Sequence, residues 1–205
     1  MNQYGPTTGP PVGYLVNGPK GLQGVRGVGY NYLLAANGLF IRASNSLLQA
    51  TIQVAPAEVR GLAPLAENLE LVHGPIPWPL LETALSLFTV GGHEVYLAVV
   101  WEDGQYRRVL PGQAGTPGSV KYQRPRNVLL DIHTHGNMSA FFSSTDDADD
   151  QGFGLHMVVG RLDLPVQEVA LRVSIYGYFA PLDWGEVFDR PAPAWLKVIS
   201  GEVAT

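Results

Sequence analysis

Two histidines one residue apart, His133 and His135, are followed after seven residues by a serine and an aspartate, Ser143 and Asp146. Imidazole and carboxylate are the nitrogen and oxygen donors of zinc sites. The apolar run over 127–133 reads as a buried strand. Side chains at i and i+2 of a strand share a face, so His133 and His135 present two imidazoles together at its end. Ser143-x-x-Asp146 has the spacing of a helix start, with Ser143 as cap and Asp146 at the third helical position. A helix begun there turns Asp146 back toward the strand that precedes it, making Asp146 the candidate third ligand. Three protein ligands with an open fourth position is the catalytic form of a zinc site. Taken singly these features are ordinary: a histidine packs, a Ser-x-x-Asp caps, and Asp146, Asp147, Asp149 and Asp150 suit a solvated helix N-terminus. Taken together they are not, because this composition yields the combined pattern in roughly one of several thousand shuffled chains.

The rest of the chain narrows the chemistry. It has 205 residues, a formal net charge of −5, 46% hydrophobic and 15% charged residues, and no cysteine. A thiol nucleophile, a disulfide and a zinc–thiolate site are therefore all excluded. Net acidity with thirteen Lys and Arg argues against a nucleic-acid partner. Met1-Asn2-Gln3-Tyr4-Gly5-Pro6 has neither the basic nor the apolar region of a signal peptide. No apolar run approaches the roughly 18 residues of a membrane span. The expectation is a soluble cytoplasmic protein with no membrane partner.

The elements that must position the site follow from local patterns. Gly and Pro crowd residues 1–29, which read as a loose tail with a weak strand at Val12–Val16. Tyr30–Ala35, Gly38–Ala43 and Leu47–Val54 read as three antiparallel strands, with Asn37-Gly38 a hairpin signal. Gly74-Pro75-Ile76-Pro77-Trp78-Pro79 is a linker. A helix over Pro79–Val90, stopped by Gly91-Gly92, and a buried strand over Glu94–Trp101 come next. Tyr106–Leu110 and Val120–Gln123 read as strands around a Gly-rich loop at 111–119. Leu155–Leu162 and Glu168–Phe179 read as two later strands, and Trp184–Val187 closes the unit. The expected organisation is a tail and small β-rich unit over 1–75, a catalytic domain over 76–190, and a C-terminal tail over 191–205. Asp131 shares a strand face with His133, where it either orients an imidazole or forms a salt bridge. His156 reads as a packed or surface histidine, and His73 and His93 flank turns.

His133-Thr134-His135, seven residues and Ser143-x-x-Asp146 resemble the JAMM motif of the JAB/MPN metalloprotease family, which reads His-Ser/Thr-His-Pro and then Ser-x-x-Asp, with a glutamate upstream. The order of elements over about 76–180 is similar too. The resemblance implies an α+β fold, the JAB/MPN (cytidine-deaminase-like) mixed β-sheet flanked by helices, with a small N-terminal β-rich unit. It implies one Zn2+ per chain on His133, His135 and Asp146, with Ser143 stabilising an oxyanion. It further implies a zinc isopeptidase that removes a ubiquitin-like protein from conjugates or trims its C-terminus. The alternative is an inactive scaffold module of the same family. More loosely, the whole chain, with its Asn37-Gly38-Leu39-Phe40 segment, is similar to a bacterial branch, the PRTRC system A proteins. These accompany ThiF-like activating enzymes and ubiquitin-like partners.

The chemistry also needs a base, and three glutamates lie between the linker and His133: Glu82, Glu94 and Glu102. Glu94 stands where the family places its glutamate. Two positions depart from the family pattern: Leu97 replaces a frequent glycine and Gly136 replaces the proline after the second histidine. Asp131-Ile132-His133-Thr134-His135 also resembles the opening of amidohydrolase barrels. That reading fails on length, because such a barrel needs at least about 200 residues and only 70 follow His135.

Overall fold

Runs of four to nine β-forming residues, interrupted by Gly, Asn and Pro, dominate the chain and give a strand-rich protein. The computed structural model describes residues 9–85, 93–116 and 119–199. The chain divides into two units, Met1–Val72 and His73–Thr205.

The first unit is a six-stranded sheet of β1 (Val12–Gly18), β2 (Gly21–Val25), β3 (Tyr30–Ala35), β4 (Gly38–Ser44), β5 (Leu48–Pro56) and β6 (Asn68–Leu71), in the order β2-β1-β3-β4-β5-β6. β1 runs parallel to β3, and the other neighbours are antiparallel. The turn before β5 is closed by Asn45, whose side-chain oxygen accepts from the Leu47 and Leu48 amides at 2.8 and 2.9 Å. Leu15, Leu33, Ala35 and Phe40 form a core cluster. Three antiparallel strands and a weak one at Val12–Val16 were expected here, and six strands are present. β1 is that weak strand extended to Gly18, and β2 was missed because it is largely exposed and shows no apolar alternation.

The second unit carries the site. It begins with α1 (Pro79–Leu85), whose Leu81, Ala84 and Leu85 make one buried stripe. Residues 86–92, the rest of the helix expected over 79–90 and its Gly-Gly stop, lie outside the described residues. Next come β7 (Tyr96–Glu102), β8 (Gln105–Val109), β9 (Gln113–Thr116), β10 (Ser119–Tyr122), β11 (Val128–Thr134) and α2 (Ser144–Asp149). β12 (Phe153–Gly160), β13 (Gln167–Ile175), β14 (Tyr178–Pro181), α3 (Trp184–Val187) and β15 (Leu196–Val198) complete it. The main sheet has the order β14-β13-β12-β11-β7-β8, with β15 beside β13. The pairs β11/β12 and β13/β15 are parallel and the rest antiparallel. Central strands β7, β11, β12 and β13 are buried almost throughout, as strands covered on both faces must be.

Several expectations are corrected. The Gly-rich loop at 111–119 contains β9, which pairs with β10 as a separate hairpin. The run over 168–179 is broken at Tyr176-Gly177, both with positive φ, so it becomes two antiparallel strands. The tail expected over 191–205 contributes β15, and Leu196 is buried. The sheet is mixed as expected. The described helices have only seven, six and four residues, so a helix-flanked α+β layout goes further than they do. No helix among the described residues is long and apolar enough to cross a membrane.

Candidate metal centre

β11 is the centre of the site because its neighbours fix what lies beside each side chain. His133 pairs in register with Tyr96 of β7 and Val158 of β12, and Asp131 pairs with His156. The chain leaves the sheet just past Thr134, and His135 is held there by its amide, which donates to the Val159 carbonyl at 2.8 Å. Gly136 then turns the backbone at φ 55. Proline cannot adopt that angle, which accounts for its absence from this position. The connection from Asn137 to Phe142 lies on the sheet: Ala140 and Phe142 pack with Val158 and Ala170. Glu168 accepts from the Ser139 hydroxyl and the Ala140 amide.

Gly160, at the end of β12, is what lets this connection approach. A Cβ there would lie 2.4 Å from the Met138 carbonyl oxygen and 2.5 Å from both Ala140 N and Ser139 C. All three are backbone atoms, so the connection itself would have to move. Gly160→Ala is expected to cost about 1–3 kcal/mol of stability and to weaken metal binding, as read by thermal denaturation and zinc titration. An unchanged melting temperature would refute the close approach.

α2 starts as its pattern demands. The Ser143 hydroxyl accepts from the Asp146 amide at 3.2 Å, and the Asp146 carboxylate accepts from the Ser143 amide at 2.6 Å. This reciprocal cap turns Asp146 onto the two histidines. His133 Nε2 lies 3.2 Å from His135 Nε2 and 3.0 Å from Asp146 Oδ1, and His135 Nε2 lies 3.7 Å from Asp146 Oδ2. Two ligands about 2.0–2.1 Å from a tetrahedral zinc stand about 3.3 Å apart. The His133–His135 spacing is close to that value, the two carboxylate contacts are made by different Asp146 oxygens, and the three side chains form a group that could hold a metal ion. Burial pushes the His135 pKa down, His133 adds to this, and Asp146 opposes it. The neutral imidazole, the form that can donate to a metal, is thereby favoured. Burial works to raise the Asp146 pKa, but hydrogen bonds from His133 and Ser143 outweigh it and hold the carboxyl far below the usual range. Phe141 covers His135 edge-on at 4.8 Å between ring centres.

Glu94 lies just before β7, which begins at Tyr96 rather than at Glu94 as expected. Its amide donates to the Thr116 carbonyl at 2.9 Å. Its neighbour Val95 donates to Thr134 Oγ1 and accepts from the Thr134 amide, both at 3.0 Å. The residue between the two histidines thus anchors the segment that bears Glu94. Glu94 is 9% exposed as a residue. Its pKa is raised by burial, with His133 lowering it and Asp146 raising it further, so it lies within the field of the site.

Other expectations meet different partners. Of the two roles read for Asp131, the salt bridge is the one present: it pairs with Arg124 and also accepts from Tyr96 Oη. Ser143 Oγ lies 2.6 Å from Asp146 Oδ2 and donates to it, so an oxyanion role needs that hydrogen released. His156 is buried, with Nδ1 3.1 Å from Asp150 Oδ1 and Nε2 2.8 Å from Ser174 Oγ. The order Ser174, His156, Asp150 is that of a hydrolase triad. However, Ser174 is wholly buried and its hydroxyl donates to the Gly152 carbonyl, so it is no nucleophile. Thr134 and Arg172 were missed in the sequence. A single charge inside Val169-Ala170-Leu171-Arg172-Val173 was the signal available for Arg172.

A mixed sheet that ends one strand in two histidines and answers them with an aspartate on the next helix defines a domain with a candidate metal centre. Residues 55–174, more than half of the chain, match the family described as prokaryotic homologs of the JAB domain, and the chain belongs to that family. The matched segment includes Glu94, His133, His135, Ser143, Asp146 and Arg172. No curated protein matches the chain.

Proposed function

We propose that this protein is a zinc-dependent metalloprotease of the isopeptidase type, which removes a ubiquitin-like protein from conjugates or trims its C-terminus. The observation that carries the reading is the convergence of His133, His135 and Asp146 into a group that could hold a metal ion. One Zn2+ per chain, bound by these three side chains, would supply a Lewis acid for the scissile carbonyl and acidify a water. Glu94 would serve as the base that accepts a proton from the attacking water and as the acid that returns it to the leaving lysine nitrogen. Ser143 Oγ, once its hydrogen leaves Asp146, donates to the developing oxyanion. β10 pairs only with β9 among the described strands and offers an edge to an extended, Gly-rich tail by strand addition. ThiF-like activating enzymes are the natural companions of such a substrate, and the cytoplasm is its compartment.

The commitment of the Ser143 hydroxyl to Asp146 favours a second reading, an inactive scaffold module of the same family. A linear fusion of a ubiquitin-like protein to a reporter separates the two. The expected result is cleavage after the C-terminal glycine, lost on chelation and restored by zinc. Full zinc occupancy with no cleavage of any such fusion would establish the scaffold.

A further inference from the structure

α2 has an attachment problem. Its six residues include none that is buried, and its one apolar side chain, Ala148, is exposed. A helix this short is not stable by itself. Yet Asp146 must be held to within about 0.5 Å of its place for the three ligands to act as a set. The hold must be polar. Asp150 stands four residues after Asp146 and three after Asp147, the spacings at which helical side chains are neighbours. Asp146 goes to the histidines. The other two go to Arg172 of β13: Nη1 pairs with Asp147 Oδ1, and Nη2 lies 2.8 Å from Asp150 Oδ2. The other Asp150 oxygen takes His156 Nδ1.

Arg172 is itself held firmly. It is 5% exposed, sits in a central strand and pairs in register with His156. Its guanidinium carbon lies 3.9 Å from the centre of the Phe142 ring and 4.1 Å from that of Phe179. Phe142 immediately precedes the cap Ser143. A single guanidinium therefore touches the residue before the N-cap, the first turn of the helix at Asp147 and its C-cap at Asp150. Its Nε has no acceptor among the described residues, so both of its hydrogen bonds are spent on α2 and its cap.

We propose that Arg172 is a positioning residue of the metal centre: it clamps α2 through Asp147 and Asp150 and so sets where the Asp146 carboxylate meets His133 and His135. This rests on the metal reading above and extends it to a residue that touches no ligand. Lysine cannot replace it, because the clamp needs a flat fork with two diverging donors that also stacks on rings.

The test uses the whole chain with Arg172→Met, Arg172→Lys and the milder Asp147→Asn, whose side chain is 42% exposed. Asp147→Asn removes half of the clamp and serves if Arg172→Met fails to fold. In metal-free protein, amide exchange is followed at Asp147 and Asp150, whose N–H groups donate to Ser143 O and Asp146 O. Exchange there should accelerate about tenfold or more in both Arg172 variants and about threefold in Asp147→Asn, with β12 and β13 unchanged. The zinc Kd should rise by similar factors, lysine should not rescue it, and the absorption bands of the Co2+-substituted protein should change. In an Asp146→Ala background the Arg172 substitution should leave the remaining affinity unaltered. A lower melting temperature with unchanged helix exchange, Kd and Co2+ spectrum would overturn the proposal, leaving Arg172 a structural residue only. Failure of the parent protein to bind zinc would instead overturn the metal reading, and helix exchange would still decide whether Arg172 clamps α2.

Discussion

Glu94→Gln is expected to lower kcat/KM on a ubiquitin-like fusion by about 10²–10⁴-fold, the usual worth of general acid–base catalysis, while the protein retains its zinc. Glutamine matches the volume of glutamate, and the backbone bonds that hold this segment, Glu94 N–H to Thr116 O and the Val95–Thr134 pair, do not involve the side chain. The substitution removes only the ability to accept and return a proton. The alternatives read from the sequence are weaker in the structure. Glu102 ends β7, eight residues further along an extended segment and so about 26 Å away, where it pairs with Arg107. Glu82 is exposed on α1. Steady-state kinetics and metal analysis on the same sample check the result. Activity within tenfold of the parent would remove Glu94 from the role.

The parts of the site that the sequence made legible depend on short-range geometry. The alternation of a strand puts His133 and His135 together, and the i, i+3 spacing of a cap puts Asp146 over them, so a few residues of context suffice. The hairpin at Asn37-Gly38 and the Asn45 turn were legible for the same reason. What was hidden depends on distant partners. A salt bridge was one of the two roles open to Asp131, but nothing local to β11 chooses between them or names the partners Arg124 and Tyr96. Thr134 was given no role by its sequence, yet its hydroxyl and amide anchor the Glu94 segment. Gly160 and Arg172 act on the connection and the helix from β12 and β13, strands whose local sequence says only that they are buried. β9 was concealed because Gln113-Ala114-Gly115-Thr116 has almost no β propensity. Gly115 is needed there, since a Cβ would lie 2.3 Å from the Glu94 carbonyl oxygen.

His133→Ala and Asp146→Asn are each expected to weaken zinc binding by more than about 10²-fold, the upper range for losing a mere outer-shell partner, but for different reasons. Removing the His133 imidazole deletes one ligand and also the hydrogen bond that keeps Asp146 ionised. Asparagine at 146 keeps an oxygen able to accept from the Ser143 amide, so the cap and α2 should survive. What it loses is the anionic donor. Asp146→Asn should therefore keep nearly the parent melting temperature without metal, while His133→Ala leaves a carboxylate with one imidazole fewer beside it. Zinc per chain after dialysis, measured by mass spectrometry, together with competition against a chromophoric chelator, gives both numbers. Near-stoichiometric zinc in His133→Ala would break the ligand assignment. Loss in His133→Ala but not in Asp146→Asn would show that the aspartate serves the helix start alone and that the third donor lies elsewhere.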